Sequence, residues 1–168
     1  MGGKIRFNVA KFGAKVASQV SKFGFGSGNN LPGYVFYKIA GKEALKDLAH
    51  EMSIGPILIT GTNGKTTTTT LLIKLLSADT KIRKSFESNT IHAITTGILK
   101  GDGDLGVFEY GIRNKSYGIP DTVQRLIDPV GVVYTTISRE HSQVAGVKNP
   151  FEEYVDAKSL LSQGMTRG

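Results

Sequence analysis

Residues 56–67 read Pro-Ile-Leu-Ile-Thr-Gly-Thr-Asn-Gly-Lys-Thr-Thr, and this stretch decides the fold. An apolar run enters a loop bounded by two glycines, and the mostly apolar residues 71–76 follow it. The order of strand, loop and helix aims backbone N–H groups and a helix N-terminus at one point, which suits a polyphosphate. We therefore predict a nucleotide-phosphate loop, in which Lys65 reaches the terminal phosphates and the Thr66 hydroxyl ligates Mg²⁺. The predicted nucleotide-binding residues of this loop are Gly61, Thr62, Asn63, Gly64, Lys65, Thr66 and Thr67.

The loop departs from the common P-loop pattern, in which a glycine stands five residues before the second glycine. That position is Ile59 here, and the first glycine is Gly61, so the loop is shorter. A polar turn that caps a helix is the plain alternative. It does not explain why two glycines and a lysine coincide after a buried strand.

The rest of the chain alternates apolar strands with helical patterns. We predict strands at 56–60, 105–110 and 130–135, and helices at 41–52, 65–77, 90–100, 120–127 and 150–161. Strands that alternate with helices indicate an α/β fold with a parallel sheet and helices on both faces.

Charge is distributed unevenly along the 168 residues, which carry a net charge of +7 and no cysteine. Residues 1–42 hold seven Lys or Arg and no acid, and residues 1–23 repeat apolar side chains every three or four positions. This predicts a basic amphipathic helix, which either docks on its own domain or lies on an anionic membrane surface. No nucleic-acid motif accompanies the charge, and no apolar run reaches the roughly 20 residues of a membrane span.

The loop Gly-Thr-Asn-Gly-Lys-Thr-Thr resembles the ATP loop of the Mur ligase family, whose members join amino acids to cell-wall precursors. The related folylpolyglutamate synthases usually carry Gly-Lys-Gly-Ser at 64–67. Residues 24–33 resemble the lead-in of compact Mur-type ligases, which include lipid II amidating enzymes and archaeal pseudomurein ligases. The sequence patterns and the resemblance together predict three parts: a basic helix at 1–23, a glycine-rich lead-in with a short helix at 24–54, and a partial ATP-binding domain at 55–168.

The same resemblance implies a set of metal ligands beside Thr66. Glu109 ends a strand, where the family has a metal-binding glutamate, and the plain alternative is a solvated charge at the strand end. His141 matches a family histidine that helps to hold a second divalent ion, although Glu140 replaces the usual aspartate before it. Lys158 matches a lysine that many Mur ligases carbamoylate with CO₂, which would make it a catalytic residue together with Lys65.

Three residues near predicted helix ends have simpler interpretations. Asn89 precedes a helix, where it either helps to position the γ-phosphate or the metal, or acts as the helix N-cap. Asp121 and Asp128 are predicted to be solvated charges at the two ends of one helix.

The activity implied by the resemblance is ATP- and Mg²⁺-dependent formation of an amide bond. An amino acid would be joined to a carboxylate-bearing cell-wall precursor, such as one of pseudomurein, through an acyl phosphate. Two alternatives stay open: a subunit of a glutamine-dependent amidating ligase, and a nucleotide-binding fragment without turnover. The family's further strands and C-terminal domain have no counterpart up to Gly168, so the chain reads as the front half of a ligase that needs a C-terminal half or a partner subunit. A cytoplasmic location, with peripheral membrane contact through residues 1–23, is the expectation.

Overall fold

The apolar run at 56–60 is the centre of a four-stranded sheet in the computed structural model, which describes residues 2–21, 30–86, 90–139 and 146–167. The elements in chain order are α1 Gly2–Ser21, α2 Leu31–Ala40, α3 Ala44–Ala49, β1 Gly55–Thr60, α4 Lys65–Leu76, β2 Ile82–Ser85, α5 Ile91–Lys100, β3 Leu105–Glu109, α6 Pro120–Ile127, β4 Gly131–Tyr134 and α7 Pro150–Ser159.

The strands run in the order β2-β3-β1-β4, and each neighbouring pair is parallel. Leu58 of β1 lies opposite Phe108 of β3 on one side and Val132 of β4 on the other. The predicted parallel α/β sheet is therefore confirmed. Because all four strands point the same way, the loop after β1 and the end of β3 lie at one edge, where open α/β sheets place their ligands.

The two faces of the sheet carry different apolar clusters, since successive side chains of a strand point to opposite faces. Leu58 and Phe108 are fully buried in the larger cluster, which includes residues of α2, α3, α5 and α6. Ile59 and Val107 face the other way and pack with Ile73 of α4. Helices thus cover both faces, as predicted.

The sequence patterns did not predict two of the elements, β2 and α2. The edge strand β2 reads Ile-Arg-Lys-Ser, and such short, charged strands lack an apolar alternation because an edge strand is only partly buried. Helix α2 begins with Leu31-Pro32-Gly33, residues whose composition predicts the end of the lead-in loop. Pro32 suits the first helical turn, and Gly33 is required because a Cβ there would lie 2.0 Å from the carbonyl oxygen of His92. The remainder of the predicted lead-in, residues 24–29, lies outside the described residues, as does the end of the predicted basic helix, residues 22–23.

The basic helix α1 does dock on the domain, but through an unexpected face. Its small residues Ala10, Ala14 and Ala17 are buried, and Gly13 approaches Ile39 of α2 closely. The large apolar residues that suggested an amphipathic face are exposed instead: Ile5, Val9, Phe12, Val16 and Val20. Within the described residues, no helix is long and apolar enough to cross a membrane.

Asp128, predicted to be solvated, is buried at the C-terminal end of α6. Its carboxylate accepts hydrogen bonds from the backbone N–H of Thr166, at 2.9 Å, and from the Thr166 hydroxyl, and it lies 3.8 Å from Arg167. The prediction was wrong because the partners are about forty residues away in sequence. Asp121, at the start of the same helix, is exposed as expected.

Candidate functional site

Two glycines determine the shape of the loop between β1 and α4. Gly61 has a φ of +151°, and a Cβ added to it would lie 2.0 Å from the Thr135 hydroxyl oxygen. Gly64 has a left-handed φ of +82° and is the N-cap of α4, without a side chain that could cap the helix. A side chain at either position would therefore be strained, by contact at Gly61 and by backbone conformation at Gly64.

The segment that follows β4 holds the middle of this loop. The backbone N–H of Thr62 donates to the Thr136 carbonyl at 2.5 Å, and the N–H of Asn63 donates to the Thr136 hydroxyl at 3.0 Å. These two loop N–H groups are therefore engaged by protein. The first N–H groups of a helix have no acceptor inside it, so those at the start of α4, residues 64–67, are the donors best placed for an anion.

Lys65 is the first residue of α4, and its side chain folds back over the loop. Its ammonium donates to the carbonyl oxygens of Gly61, at 3.0 Å, and Thr62, at 2.9 Å. A phosphate bound at the helix start would offer this ammonium a charged acceptor in place of two neutral ones, and charge-assisted hydrogen bonds are the stronger kind.

Thr66 and Glu109, separated by 43 residues in sequence, meet at this edge of the sheet. The Thr66 hydroxyl donates to Oε2 of Glu109 at 2.8 Å, and Glu109 is only 4% exposed at the end of β3. A hydroxyl and a carboxylate are oxygen ligands of the kind that Mg²⁺ prefers beside phosphates. The solvated alternative for Glu109 is wrong, since the side chain is buried. Thr67 lies exposed on the same first turn of α4.

Lys158 lies under the loop and is completely buried on α7. Its ammonium donates to the Ile112 carbonyl at 3.1 Å, to the Thr60 hydroxyl at 3.2 Å and to the Gly61 carbonyl at 3.4 Å. Among the residues the structure describes, it makes no ion pair with a carboxylate. Burial, followed by the charge of Lys65, lowers the pKa of Lys158 to about 8.

Tyr154 joins the lysine to the loop, and sequence reasoning did not single it out. Its hydroxyl is 2.9 Å from the Thr62 hydroxyl, and the Lys158 ammonium lies 4.4 Å from the centre of its ring. Burial raises the pKa of Tyr154, and the hydrogen bond with Thr62 opposes that rise. The spacing of four residues between Tyr154 and Lys158, which puts both on one face of a helix, is the signal that could have found it.

A small cavity of about 120 Å³ opens beside the loop. It is lined by Gly61 and Lys65 from the loop region, by the segment after β3 and by Tyr154. Arg113 and Tyr117 of that segment also line it, with the guanidinium 5.5 Å from the centre of the Tyr117 ring. The cavity is cationic on two sides, which suits an anionic group next to the phosphate loop.

The remaining predicted ligands cannot be placed. Asn89, Glu140 and His141 lie outside the described residues. The N-cap of α5 is Thr90, whose hydroxyl accepts from the N–H of Ala93 at 3.2 Å. In the parts of the chain that are described, no group of three or more His, Cys, Asp or Glu side chains could hold a metal.

Known proteins resemble this chain over much of its length. The family model described as "Mur ligase middle domain" matches residues 59–168. A UDP-N-acetylmuramoyl-tripeptide--D-alanyl-D-alanine ligase of Borreliella burgdorferi is 36% identical over 100 residues, which are 57% of this chain and 21% of the relative. The ligase of the same name from Bacillus subtilis is 29% identical over 129 residues, or 73% of this chain and 27% of the relative.

Among solved structures, a crystal structure of MurF from Acinetobacter baumannii superposes with a TM-score of 0.61 at 16% identity. The match covers 82% of this chain and 28% of that one, and it supports the fold. The chain thus spans between a fifth and a third of the length of the proteins it matches.

Proposed function

The chain belongs to the Mur ligase family, and we propose that it is the ATP-binding part of a ligase that forms an amide bond on a cell-wall precursor. The observation that carries the proposal is the meeting of Thr66 and Glu109 at the N-terminus of α4, one residue from Lys65. A cation, a hydroxyl, a carboxylate and free helix N–H groups at one point are what Mg·ATP requires.

The residues fit this ligand in a defined way. The phosphates would lie against the N–H groups of residues 64–67, and the Lys65 ammonium would leave the two loop carbonyls to pair with them. Thr66 and Glu109 would hold Mg²⁺, which neutralises charge on the phosphates when bound. The small cavity lined by Lys65 and Arg113 would receive the carboxylate of the acceptor.

The proposed reaction uses ATP to activate that carboxylate. A carboxylate oxygen attacks the γ-phosphorus, the bond to the bridging oxygen breaks, and ADP leaves. An amine nitrogen then attacks the carbon of the acyl phosphate, phosphate leaves with the bonding electrons, and the nitrogen loses a proton. The chain contributes by positioning and by charge, which carry most of the catalysis in phosphoryl transfer. The names of the relatives support a peptide of a muramoyl or similar precursor as the acceptor class, and an amino acid or dipeptide as the amine.

Lys158 is the candidate for carbamoylation, and His141 is the candidate for a second metal ligand. The low pKa of Lys158 leaves part of the amine neutral near neutral pH. The lone pair of a neutral amine can attack CO₂, so that an N–C bond forms, a C=O π bond opens onto oxygen and the nitrogen loses a proton. The oxygen atoms around Nζ are hydrogen-bond acceptors, which suit an N–H donor. The oxygens of a carbamate are acceptors too, so the carbamate would have to turn away from the Gly61 and Ile112 carbonyls. Carbon NMR with isotope-labelled bicarbonate tests this: a carbamate signal that disappears in Lys158→Met supports it, and no signal in the wild type rejects it.

Calorimetric titration with Mg·ATP tests the function itself. Lys65→Ala and Glu109→Gln should each weaken binding about tenfold or more, because each removes a charge-assisted interaction. Lys74→Ala is the matched control, since Lys74 is an exposed lysine on the same helix and should bind as the wild type does. Equal binding by Lys65→Ala and the wild type would reject the phosphate site.

Amine-dependent phosphate release with a carboxylate acceptor separates the remaining alternatives. Release with an amino acid as amine supports the ligase, and release only with ammonia supports the amidating system. Mg·ATP binding without any release, in the presence of both amines and of the C-terminal half or partner subunit, would support a nucleotide-binding fragment.

A further inference from the structure

Helix α1 carries a row of large apolar side chains that nothing in the described structure covers. The row, which we call the apolar stripe, consists of Ile5, Val9, Phe12, Val16 and Val20. Phe12 is 70% exposed and Ile5 is 65% exposed. The intervals of four, three, four and four residues put all five on one side of the helix, so they form a continuous surface rather than scattered contacts.

The stripe is not what attaches α1 to the domain. That attachment uses Ala10, Ala14 and Ala17, whose small side chains let α1 approach α2 closely. A Cβ added at Gly13 would lie 3.0 Å from Cδ1 of Ile39, which shows how close the approach is. Phe7 adds an edge-to-face contact with Phe36. The helix is therefore held firmly with its apolar stripe pointing outward.

Charge identifies the kind of surface that would cover the stripe. Residues 1–42 contain seven Lys or Arg and no acid. Lys4, Lys11 and Lys15 follow one another by seven and four positions, so they line one side of the stripe, and Lys4 and Lys15 are exposed. A second copy packed through the stripe would meet these lysines with its own lysines, since α1 has no acid to pair with them. An anionic surface would pair with the exposed Lys4 and Lys15.

A groove next to the apolar stripe is also apolar and bordered by lysines. It has a volume of about 750 Å³ and is lined by Phe12 and Leu99 together with Lys11, Lys15 and Lys100. Lys11 is held there by an ion pair with Glu51 at 2.7 Å. An apolar groove rimmed by lysines suits a molecule with an acidic head and a hydrocarbon body, as an anionic phospholipid is.

We propose that the apolar stripe of α1 lies on the surface of a membrane that contains anionic phospholipid. The stripe enters the boundary between headgroups and acyl chains, while the lysines beside it contact lipid phosphates. The helix lies on the bilayer and does not cross it. This attachment is independent of the ATP site, which is built by β1, α4, β3 and α7.

A tryptophan at position 12 gives a direct test, because the chain contains no other tryptophan. Phe12→Trp changes one exposed aromatic residue into another, so the fold should be retained. Its emission should shift to shorter wavelength when vesicles of phosphatidylglycerol and phosphatidylcholine are added, and brominated acyl chains should quench it. Pure phosphatidylcholine vesicles should produce a much smaller shift. An unchanged spectrum with the anionic vesicles overturns the proposal.

Vesicle flotation of charge variants gives a second test. Phe12→Glu combined with Val16→Glu should lower the bound fraction about tenfold or more, since charges are costly in the apolar layer. Leu75→Glu is the matched control, because Leu75 is 72% exposed on α4, away from α1. It should bind as the wild type does, and added salt should weaken wild-type binding.

Three outcomes would overturn the proposal. The first is equal flotation of the double variant and the wild type. The second is equal binding to neutral and anionic vesicles. The third is an absence of vesicle binding together with a doubling of mass at high concentration that Phe12→Glu abolishes, because this would assign the stripe to a second copy of the chain. Normal Mg·ATP binding by the double variant would show that its effect is separate from the proposed function.

Discussion

Replacing Lys158 with methionine should remove a pH dependence of stability that this buried amine imposes. Burial lowers its pKa to about 8 in the folded chain, against an ordinary value of 10.5. Below about pH 8 the lysine is charged in both states, and the folded state bears the full cost of burying the charge. Between about pH 8 and 10.5 the folded chain has released the proton that the unfolded chain still holds, so stability rises with pH.

The size of the rise follows from the two pKa values. For a single group with a folded pKa of about 8 and an unfolded value of 10.5, the free energy of unfolding increases by about 2 kcal/mol between pH 7 and pH 9.5. Burial also raises the pKa of Tyr110 and of Tyr154, so both tyrosines hold their protons more tightly in the folded chain than in the unfolded chain. Their contribution to the free energy of unfolding has the opposite sign and grows as pH approaches 10, so it remains a small part of the change up to pH 9.5.

Urea unfolding followed by circular dichroism, at several pH values in buffer free of CO₂, measures this rise. The informative quantity is the slope against pH and not the stability at one pH, because methionine also leaves the Thr60 hydroxyl and the Gly61 and Ile112 carbonyls without their donor. Lys74→Met, at an exposed position of α4, controls for the loss of a lysine. Parallel slopes for the wild type and Lys158→Met, within about 0.5 kcal/mol over the interval, would refute the reasoning.

Three further changes test the packing that positions the site. Gly61→Ala should destabilise the chain by about 3 kcal/mol, since the new Cβ meets the Thr135 hydroxyl. Gly131→Ala, where the added Cβ has open space and φ is not left-handed, should change the free energy of unfolding by less than about 1 kcal/mol in the same urea titration. Asp128→Asn should lower stability at pH 7 by about 1–2 kcal/mol. Burial raises the pKa of Asp128, but hydrogen bonds from Thr166 and the charge of Arg167 lower it, and the net result is a pKa below the ordinary value of 3.8. The carboxylate therefore stabilises the folded chain above about pH 3.8, and this stabilisation is lost as the pH falls through the folded pKa. Phe36→Ala should cost about 3–5 kcal/mol of unfolding free energy in thermal or urea unfolding, because the ring is fully buried beneath α1.

Each of these expectations has a result that would contradict it. An equal loss of unfolding free energy for the two glycine substitutions would mean that the loop containing Gly61 does not approach the segment after β4. An unchanged acid unfolding midpoint in Asp128→Asn would place that carboxylate in water, as its sequence position first indicated. A loss below about 1 kcal/mol in Phe36→Ala would mean that α2 is not part of the core.

The sequence predicted the elements whose signals are local. Each central strand is an apolar run of the length expected for a buried strand, and α6 was predicted to its bounds because Pro120 marks its start. The edge strand β2 was not predicted, because a strand at the edge of a sheet needs no apolar run. Helix α2 was not predicted either, because Gly33 is typical of a loop, whereas in the structure it allows the close approach of α5. Of the site, Lys65 and Thr66 were identifiable from the loop itself, whereas Glu109 and Lys158 depended on resemblance to a family.

The amino-acid sequence by itself determined the phosphate loop, the α/β class and the concentration of positive charge in the first 42 residues, since each is a property of neighbouring positions. Only the tertiary structure decided which face of α1 is buried: small residues allow closer packing of two helices than large ones, so the alanines dock and the apolar stripe stays outside. Only the tertiary structure brought Thr66 to Glu109 and enclosed Lys158 without a carboxylate among the described residues. Those contacts join positions 43 to 98 residues apart, and hydrogen bonds across such distances follow from the parallel register of the strands and leave no periodic signal along the chain.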